Sequence, residues 1–284
     1  MTIDFAAFRY FSKTRFWVRI WHEVNEDDCW GMAAQLSYYF LLAFVPFLIF
    51  LSALIGFIPY VPDLIGLMLL DFSQVLPEAS VQLVTRVIER VIYSQAQGAL
   101  TFGLVAALWF ASSAFNGMIS LLNKAYQVRE TRSYFATRLV AILVTVVVSI
   151  FLIVSGALLF FGDWLIDTLV KNLWLNTLYT SSRWVVILFL LNFGVQIVYH
   201  FLPAQRFPWT LVSPGGFLAT TGWVVGSTLF RLWVNRFADL QILWGSLSAL
   251  IALLAWFYIC SFFLLLGGEV DSEIQKIRGE SPGN

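Results

Sequence analysis

Six stretches of about 20 apolar residues, separated by short charged segments, constrain this chain more than anything else in its sequence. An α-helix rises 1.5 Å per residue, so about 20 residues cross the roughly 30 Å hydrocarbon core of a bilayer. The runs extend from Ala33 to Ile58, Ala99 to Leu122, Leu139 to Phe161, Trp184 to Leu202, Pro214 to Val234 and Ser246 to Gly267. The fifth is diluted by Gly, Ser and Thr. With 60% hydrophobic and only 12% charged residues, the chain has too little polar surface to cover itself in water. The sequence therefore predicts an all-α fold: a polytopic membrane helix bundle of six transmembrane helices plus amphipathic interfacial helices. Residues 1–284 form a single integral membrane domain, with an N-terminal interfacial helix (1–32), the six-span bundle (33–267) and a short charged tail (268–284). No apolar core with a small-residue cleavage site precedes the first span, so a removable signal peptide is not expected.

Cytoplasmic segments retain Lys and Arg, so basic residues report orientation. With the N-terminus inside, the inside set is Arg9, Lys13, Arg15, Arg19, Lys124, Arg129, Arg132, Arg138, Arg206, Lys276 and Arg278. The outside set is Arg86, Arg90, Lys171, Arg183, Arg231 and Arg236. The excess predicts both termini in the cytoplasm. Equal totals of 17 basic and 17 acidic residues give no overall charge that would attract nucleic acid. Cys29 and Cys260 are far apart in sequence and in expected depth, so no disulfide framework is indicated.

Three connecting segments read as ordered. In residues 79–96, Val84, Val87, Ile88, Val91 and Ile92 recur at helical spacing opposite Arg86, Glu89 and Arg90, which predicts an amphipathic helix outside the membrane. The N-terminal "FAAFRYFSKTRFWVRIWHEV" mixes Phe and Trp with Arg and Lys, the composition of an interfacial helix on an anionic leaflet. "GDWLIDTLVKNLWLNTLY" reads as a further short surface helix.

Polar residues within spans are costly unless satisfied, so they mark the places where function could reside. The fourth span carries Asn192, Gln196 and Tyr199 or His200 along one face. The second carries Ser113, Asn116, Ser120 and Asn123, the first Gln35 and Tyr39, and the fifth Thr221, Thr228, Arg231 and Asn235. Two readings stand: a polar cleft that holds a headgroup or solute, or hydrogen-bonding glue between helices. No ionisable group falls at mid-span. Gly215, Ala219, Gly222 and Gly226 form a small-residue stripe suited to close helix packing, while Pro46 and Pro214 suggest a kink and an irregular entry. Glu269, after "LLLGG", is placed to pair with a cytoplasmic Arg. Glu26, Asp27 and Asp28 read as a solvated run or as helix N-terminal charges rather than a metal site.

Catalytic constellations are missing. His22 and His200 are the only histidines, too few for a His-rich zinc site. Neither a GxxxxGKS/T loop nor a GxSxG elbow occurs, so neither an enzyme nor a cofactor is expected.

"DDCWGMAAQLSYYFLLAFVPFLIFLSALIGFIP", "WFASSAFNGMISLLNKAYQVRETRSYFATRL", "PGGFLATTGW" and "WGSLSALIALLAWFYICSFFLLLGGEVDSE" resemble the YihY/virulence factor BrkB family over residues 15–275. The resemblance implies a six-span bacterial inner-membrane protein linked to envelope integrity, serum resistance and the movement of lipids between leaflets. It carries over motif positions rather than catalytic residues: Asp27, Asp28 and Gln35; Trp109, Ser112 and Asn116; Pro203; Pro214 and Gly215; and Gly245, Ser246, Gly268 and Glu269. Trp244 stands where the family pattern has Tyr. A ribonuclease label once attached to such proteins fits poorly, because a metal-dependent RNA hydrolase needs clustered His and Asp ligands that the sequence does not display. The leading expectation is a transporter or flippase-like handler of lipids, and the alternative is a scaffolding membrane protein without transport. Membrane lipids are the expected partners. The small-residue stripe and the outer helix could each serve self-association or contact with an envelope protein, or be satisfied within one chain.

Overall fold

Each apolar run becomes a helix longer than the run itself. The computed structural model describes residues 2–3, 8–56, 99–169, 173–205, 209–236 and 247–278. Seven α-helices lie among these described residues: α1 (Thr14–Glu26), α2 (Cys29–Gly56), α3 (Ala99–Ala125), α4 (Tyr134–Leu169), α5 (Leu173–Phe201), α6 (Pro214–Arg236) and α7 (Leu247–Arg278). A 3-10 turn at Arg9–Ser12 precedes α1, and Thr2–Ile3 (β1) pairs in parallel with Thr210–Val212 (β2). The predicted surface helix at 162–179 is not a separate element, since α4 continues through Leu169 and α5 starts at Leu173. The amphipathic stretch 79–96, Arg206, Gly245 and Ser246 lie outside the described residues.

Among the described residues, four helical segments are long and apolar enough to cross a membrane: Cys29–Leu51, Leu104–Ala125, Tyr134–Gly156 and Leu250–Arg278. Val185–Phe201 is a shorter apolar helix. The Gly- and Thr-rich α6 is not among the four, in keeping with its diluted sequence.

The helices close a ring. α2 packs on α3, α3 on α4, α4 on α5, α5 on α6, α6 on α7, and α7 returns to α2. Small residues make the α6–α7 seam tight: a Cβ added at Gly222 would lie 2.5 Å from Phe263 Cε1, and one at Gly226 would lie 2.7 Å from Ile259 Cγ2. The stripe is therefore a packing surface, filled by α7. On the outside of the bundle Leu42, Phe110, Leu143, Val147 and Leu250 are exposed, a surface that lipid solvates and water does not.

α1 is amphipathic, and the protein itself occupies its apolar face. Phe16, Ile20 and Val24, four residues apart, are buried in one cluster with Val270 and Ile274 of α7. Trp17 and Trp21 face outward, available to an interface. Asp28 takes a positive φ of 53°, which Asp tolerates better than most residues. There it ends α1 and accepts a hydrogen bond from Gly31 N at 3.2 Å, capping α2.

The entry to α6 is regular where Pro214 suggested irregularity. Ser213 Oγ accepts from Gly216 N at 2.9 Å, and Pro214 occupies the first helical position, where its missing N–H costs nothing. Likewise α2 runs through Pro46 as one helix.

Candidate functional site

The polar stripes do not all meet. On α5, Gln196 Nε2 donates to Ser213 Oγ (2.8 Å), and Ser213 donates to Asp271 Oδ2 (2.6 Å). Asp271 Oδ1 accepts from Gly215 N (2.7 Å), so a carboxylate from α7 caps the positive end of α6. Tyr199 donates to the Leu264 carbonyl. Gln196, Tyr199 and Asp271 thus sit in a buried network at the α5–α6–α7 junction, beside Gly215 and Pro214. Asn192, one turn from Gln196, is less well served: its Nδ2 reaches Thr220 Oγ1 only at 3.4 Å, and Oδ1 is buried with no partner. His200 turns elsewhere, stacking edge-on to Trp209.

The other stripes lie apart from this network. Gln35, on the exposed side of α2, donates to Tyr39 OH at 2.8 Å, and the Tyr39 ring covers Gly117 of α3. Thr221 and Thr228 are exposed and donate to the carbonyls of Phe217 and Val224 on their own helix. Arg231 is exposed as well. This face of α6 therefore looks away from the bundle, because the stripe of small residues, not that of Thr, meets α7. Buried hydroxyls that the sequence reading passed over include Thr145 and Ser149, which bond to the Ala141 and Thr145 carbonyls.

A buried ionisable group that the sequence places in the connection before the third span lies against α3. Arg138 begins the second turn of α4, yet its guanidinium rests over the Trp109 ring at 4.2 Å. It donates to the Trp109 carbonyl and to Ser113 Oγ (3.3 Å), and Trp109 and Ser113 bracket the midpoint of α3. The residue is 6% exposed, its Nε has no partner, and no carboxylate pairs with it among the described residues. Trp109, by contrast, is 47% exposed. Asn116 lies half-buried further along α3. The cause is the connection between α3 and α4. Asn123 donates to Glu130 Oε2 (2.8 Å), Arg132 donates to both oxygens of Glu130 and to the Leu202 carbonyl, and Ala204 N donates to Asn123 Oδ1. These bonds hold the connection against the end of α5, beside the buried Pro203. The Arg132 bonds hold the Glu130 carboxyl down at about 2.

The charged end of the bundle also departs from the sequence reading. Among the described residues Glu269 meets no arginine: its Oε1 receives Cys29 Sγ at 3.5 Å, and its buried Oε2 has no partner there. Arg19 pairs instead with Glu273, one turn on, at 3.4 Å. The acidic run separates, with Glu26 turned to His22 in solvent (3.4 Å), Asp28 capping α2, and Asp27 half-buried. Burial pushes the Asp27 carboxyl up from its ordinary range.

The sequence matches the family model for virulence factor BrkB over residues 20–284. It is similar to the ribonuclease-like protein YfkH of Bacillus subtilis, 33% identical over 250 residues, covering 86% of this chain and 89% of that one. It is also similar to membrane protein YihY of Salmonella typhimurium, 24% identical over 283 residues, covering 98% and 94%. No solved structure matches it. With apolar helices of membrane-spanning length and a family match over nearly its whole length, this chain belongs to the virulence factor BrkB family of membrane proteins.

Proposed function

We propose that this chain is a bacterial inner-membrane protein of six spans, with both termini cytoplasmic, that binds and moves an amphiphile with an anionic headgroup, a lipid. The observation that carries the reading is Arg138. A guanidinium removed from water without a carboxylate costs several kcal/mol, and a cation–π contact to the half-exposed Trp109 returns about 1–2 kcal/mol. Ionisable groups are kept at membrane depth when they serve a ligand or a pathway. Arg138 Nε is an unused donor, and the exposed Trp109 and Phe110 beside it offer apolar surface to an acyl chain. A phosphate headgroup on Arg138 and Ser113 with its tail along Trp109 would satisfy all of these groups at once.

The test is native mass spectrometry of the protein in mild detergent, with lipid scrambling measured in liposomes. Wild type is expected to retain an anionic lipid that Arg138→Gln loses and Arg138→Lys keeps in part. Equal retention by Arg138→Gln, or no effect of wild type on lipid distribution, refutes the proposal. The alternative, a scaffold without transport, draws support from the Gln196–Ser213–Asp271 network, whose polar atoms bond one another between helices. On that reading, Arg138→Gln changes thermal stability and nothing else.

A further inference from the structure

We propose that Glu23, Asp27 and Glu269 bind one hard divalent cation where the end of α1, the start of α2 and the last turns of α7 converge. Each residue offers one carboxylate oxygen, and the three oxygens lie within 4.8 Å of one another. Ligands around a cation are separated by at most twice the metal–oxygen distance. That limit is about 4.2 Å for Mg²⁺ and about 4.6–5.2 Å for Ca²⁺. Each pair therefore falls within the Ca²⁺ limit, and rotamer adjustment would draw the three oxygens together around one ion.

Crowded carboxylates alone would say little, but one of these is deeply buried and lacks a counterpart. Glu269 is 1% exposed, and its Oε2 has no hydrogen-bond partner. Asp27 Oδ2 is likewise buried and unpaired. Of the neighbouring cations, Lys124 and Arg19 are turned to other atoms, while Glu23 is engaged by Lys276 at Oε1 and by Gln127 Nε2 at Oε2 (3.0 Å), bonds that a metal ion would replace. Lys124 donates to the Asp27 carbonyl rather than its carboxylate, Arg19 pairs with Glu273, and Lys276 bridges Glu23 (3.1 Å) and Glu273 (3.9 Å). Among the described residues no ion pair reaches Asp27 or Glu269. Buried polar atoms are almost always satisfied, and an unpaired buried carboxylate is among the costliest exceptions. A cation shared by Oδ2 and Oε2 removes both at once. The all-oxygen donor set selects Mg²⁺, Mn²⁺ or Ca²⁺ over zinc, and the half-exposed Glu23 and Asp27 leave room for waters on the remaining positions. The inference is independent of the Arg138 site.

The full-length protein in detergent, stripped with EDTA, is titrated with Mn²⁺ and followed by electron paramagnetic resonance and thermal unfolding. Wild type should bind one Mn²⁺ per chain, displaced by Mg²⁺ or Ca²⁺, with a rise in melting temperature. Asp27→Asn and Glu269→Gln should each weaken binding at least tenfold and abolish the rise, while Glu26→Gln, at an exposed position, should bind as wild type does. Lys276→Met, which frees Glu23 from its competing ammonium, should bind several-fold tighter. That variant keeps the test decisive if the buried substitutions fail to fold. Absence of saturable binding, unchanged binding in Asp27→Asn and Glu269→Gln, or weaker binding in Lys276→Met would overturn the proposal. The cluster would then be read as carboxyls sharing protons.

Discussion

Gly215→Ala is the substitution whose cost can be worked most directly from the structure. A Cβ at this position would sit 2.6 Å from Asp271 Cγ and 2.7 Å from its Oδ1, with the Gly267 carbonyl oxygen closer still. Ordinary carbon–carbon contact is about 3.5–4.0 Å, so α6 and α7 must part by about 1 Å at their tightest point. The Gly267 oxygen belongs to the backbone and cannot rotate aside. Overpacking of this kind costs about 1–3 kcal/mol. Separation also stretches the Gly215 N to Asp271 bond, and a bond to a charged group contributes about 1.5–3 kcal/mol. Against this, alanine's better helix propensity returns at most about 1 kcal/mol. The net loss should be about 2–4 kcal/mol, a fall in melting temperature of roughly 5–10 °C for a chain of this size. Gly268→Ala is the matched control, because its Cβ would meet Leu122 Cδ2 at 3.4 Å and Tyr126 Cε2 at 3.6 Å, both ordinary contacts. Thermal unfolding of purified protein followed by tryptophan fluorescence should separate the two. A Gly215→Ala protein within about 2 °C of wild type, or a Gly268→Ala protein equally damaged, would refute the reasoning.

Other outcomes follow from the same contacts. Asp271→Ala, which uncaps α6 and strands Ser213, should cost about 3 kcal/mol in thermal unfolding, whereas Asp271→Asn should cost less because it can still accept from Gly215 N. Asn192→Leu should be neutral or stabilising by up to about 1 kcal/mol, since it removes an unpartnered buried oxygen, and Gln196→Leu should destabilise by about 1 kcal/mol because Ser213 then loses a donor. A retention experiment showing lipid loss in both would put them back in one site. For Glu130, a carboxyl held below its ordinary value of 4.5 stabilises the folded chain above that value, and the benefit disappears as pH falls toward about 2. Unfolding of wild type and Glu130→Gln should therefore differ at pH 7 by about 1 kcal/mol, given the group's partial exposure, and converge near pH 2.

Helix positions were legible because lipid permits only segments that satisfy their own backbone, so each apolar run had to be a helix with charged ends. The helix at α1 was legible from its mixture of aromatic and basic residues, but that Phe16, Ile20 and Val24 pack on α7 rather than on lipid was not. Neither was Arg138. Its place beside the middle of α3 depends on the Asn123–Glu130–Arg132 bonds in the connection, and hydropathy carries no information about how two helices are staggered. Nor could the sequence show Glu269 meeting Glu23 and Asp27, because nothing local distinguishes a carboxylate facing another helix from one facing solvent. The outward turn of Thr221 and Thr228 was decided by which stripe of α6 packs better on Phe263, a competition between two faces of one helix. Gly222 and Gly226 won it by letting the aromatic ring approach.

The ring is closed by α7, which is made after the other six described helices. α7 seals the bundle by packing on both α2 and α6, supplies the carboxylate that caps α6, and gives α1 its docking surface. During synthesis, the surfaces of α1, α2 and α6 that α7 covers therefore stay open until α7 leaves the ribosome. Chains that stop short of residue 247 would leave five helices in an open arc, with the Gly222 and Gly226 face of α6 bare.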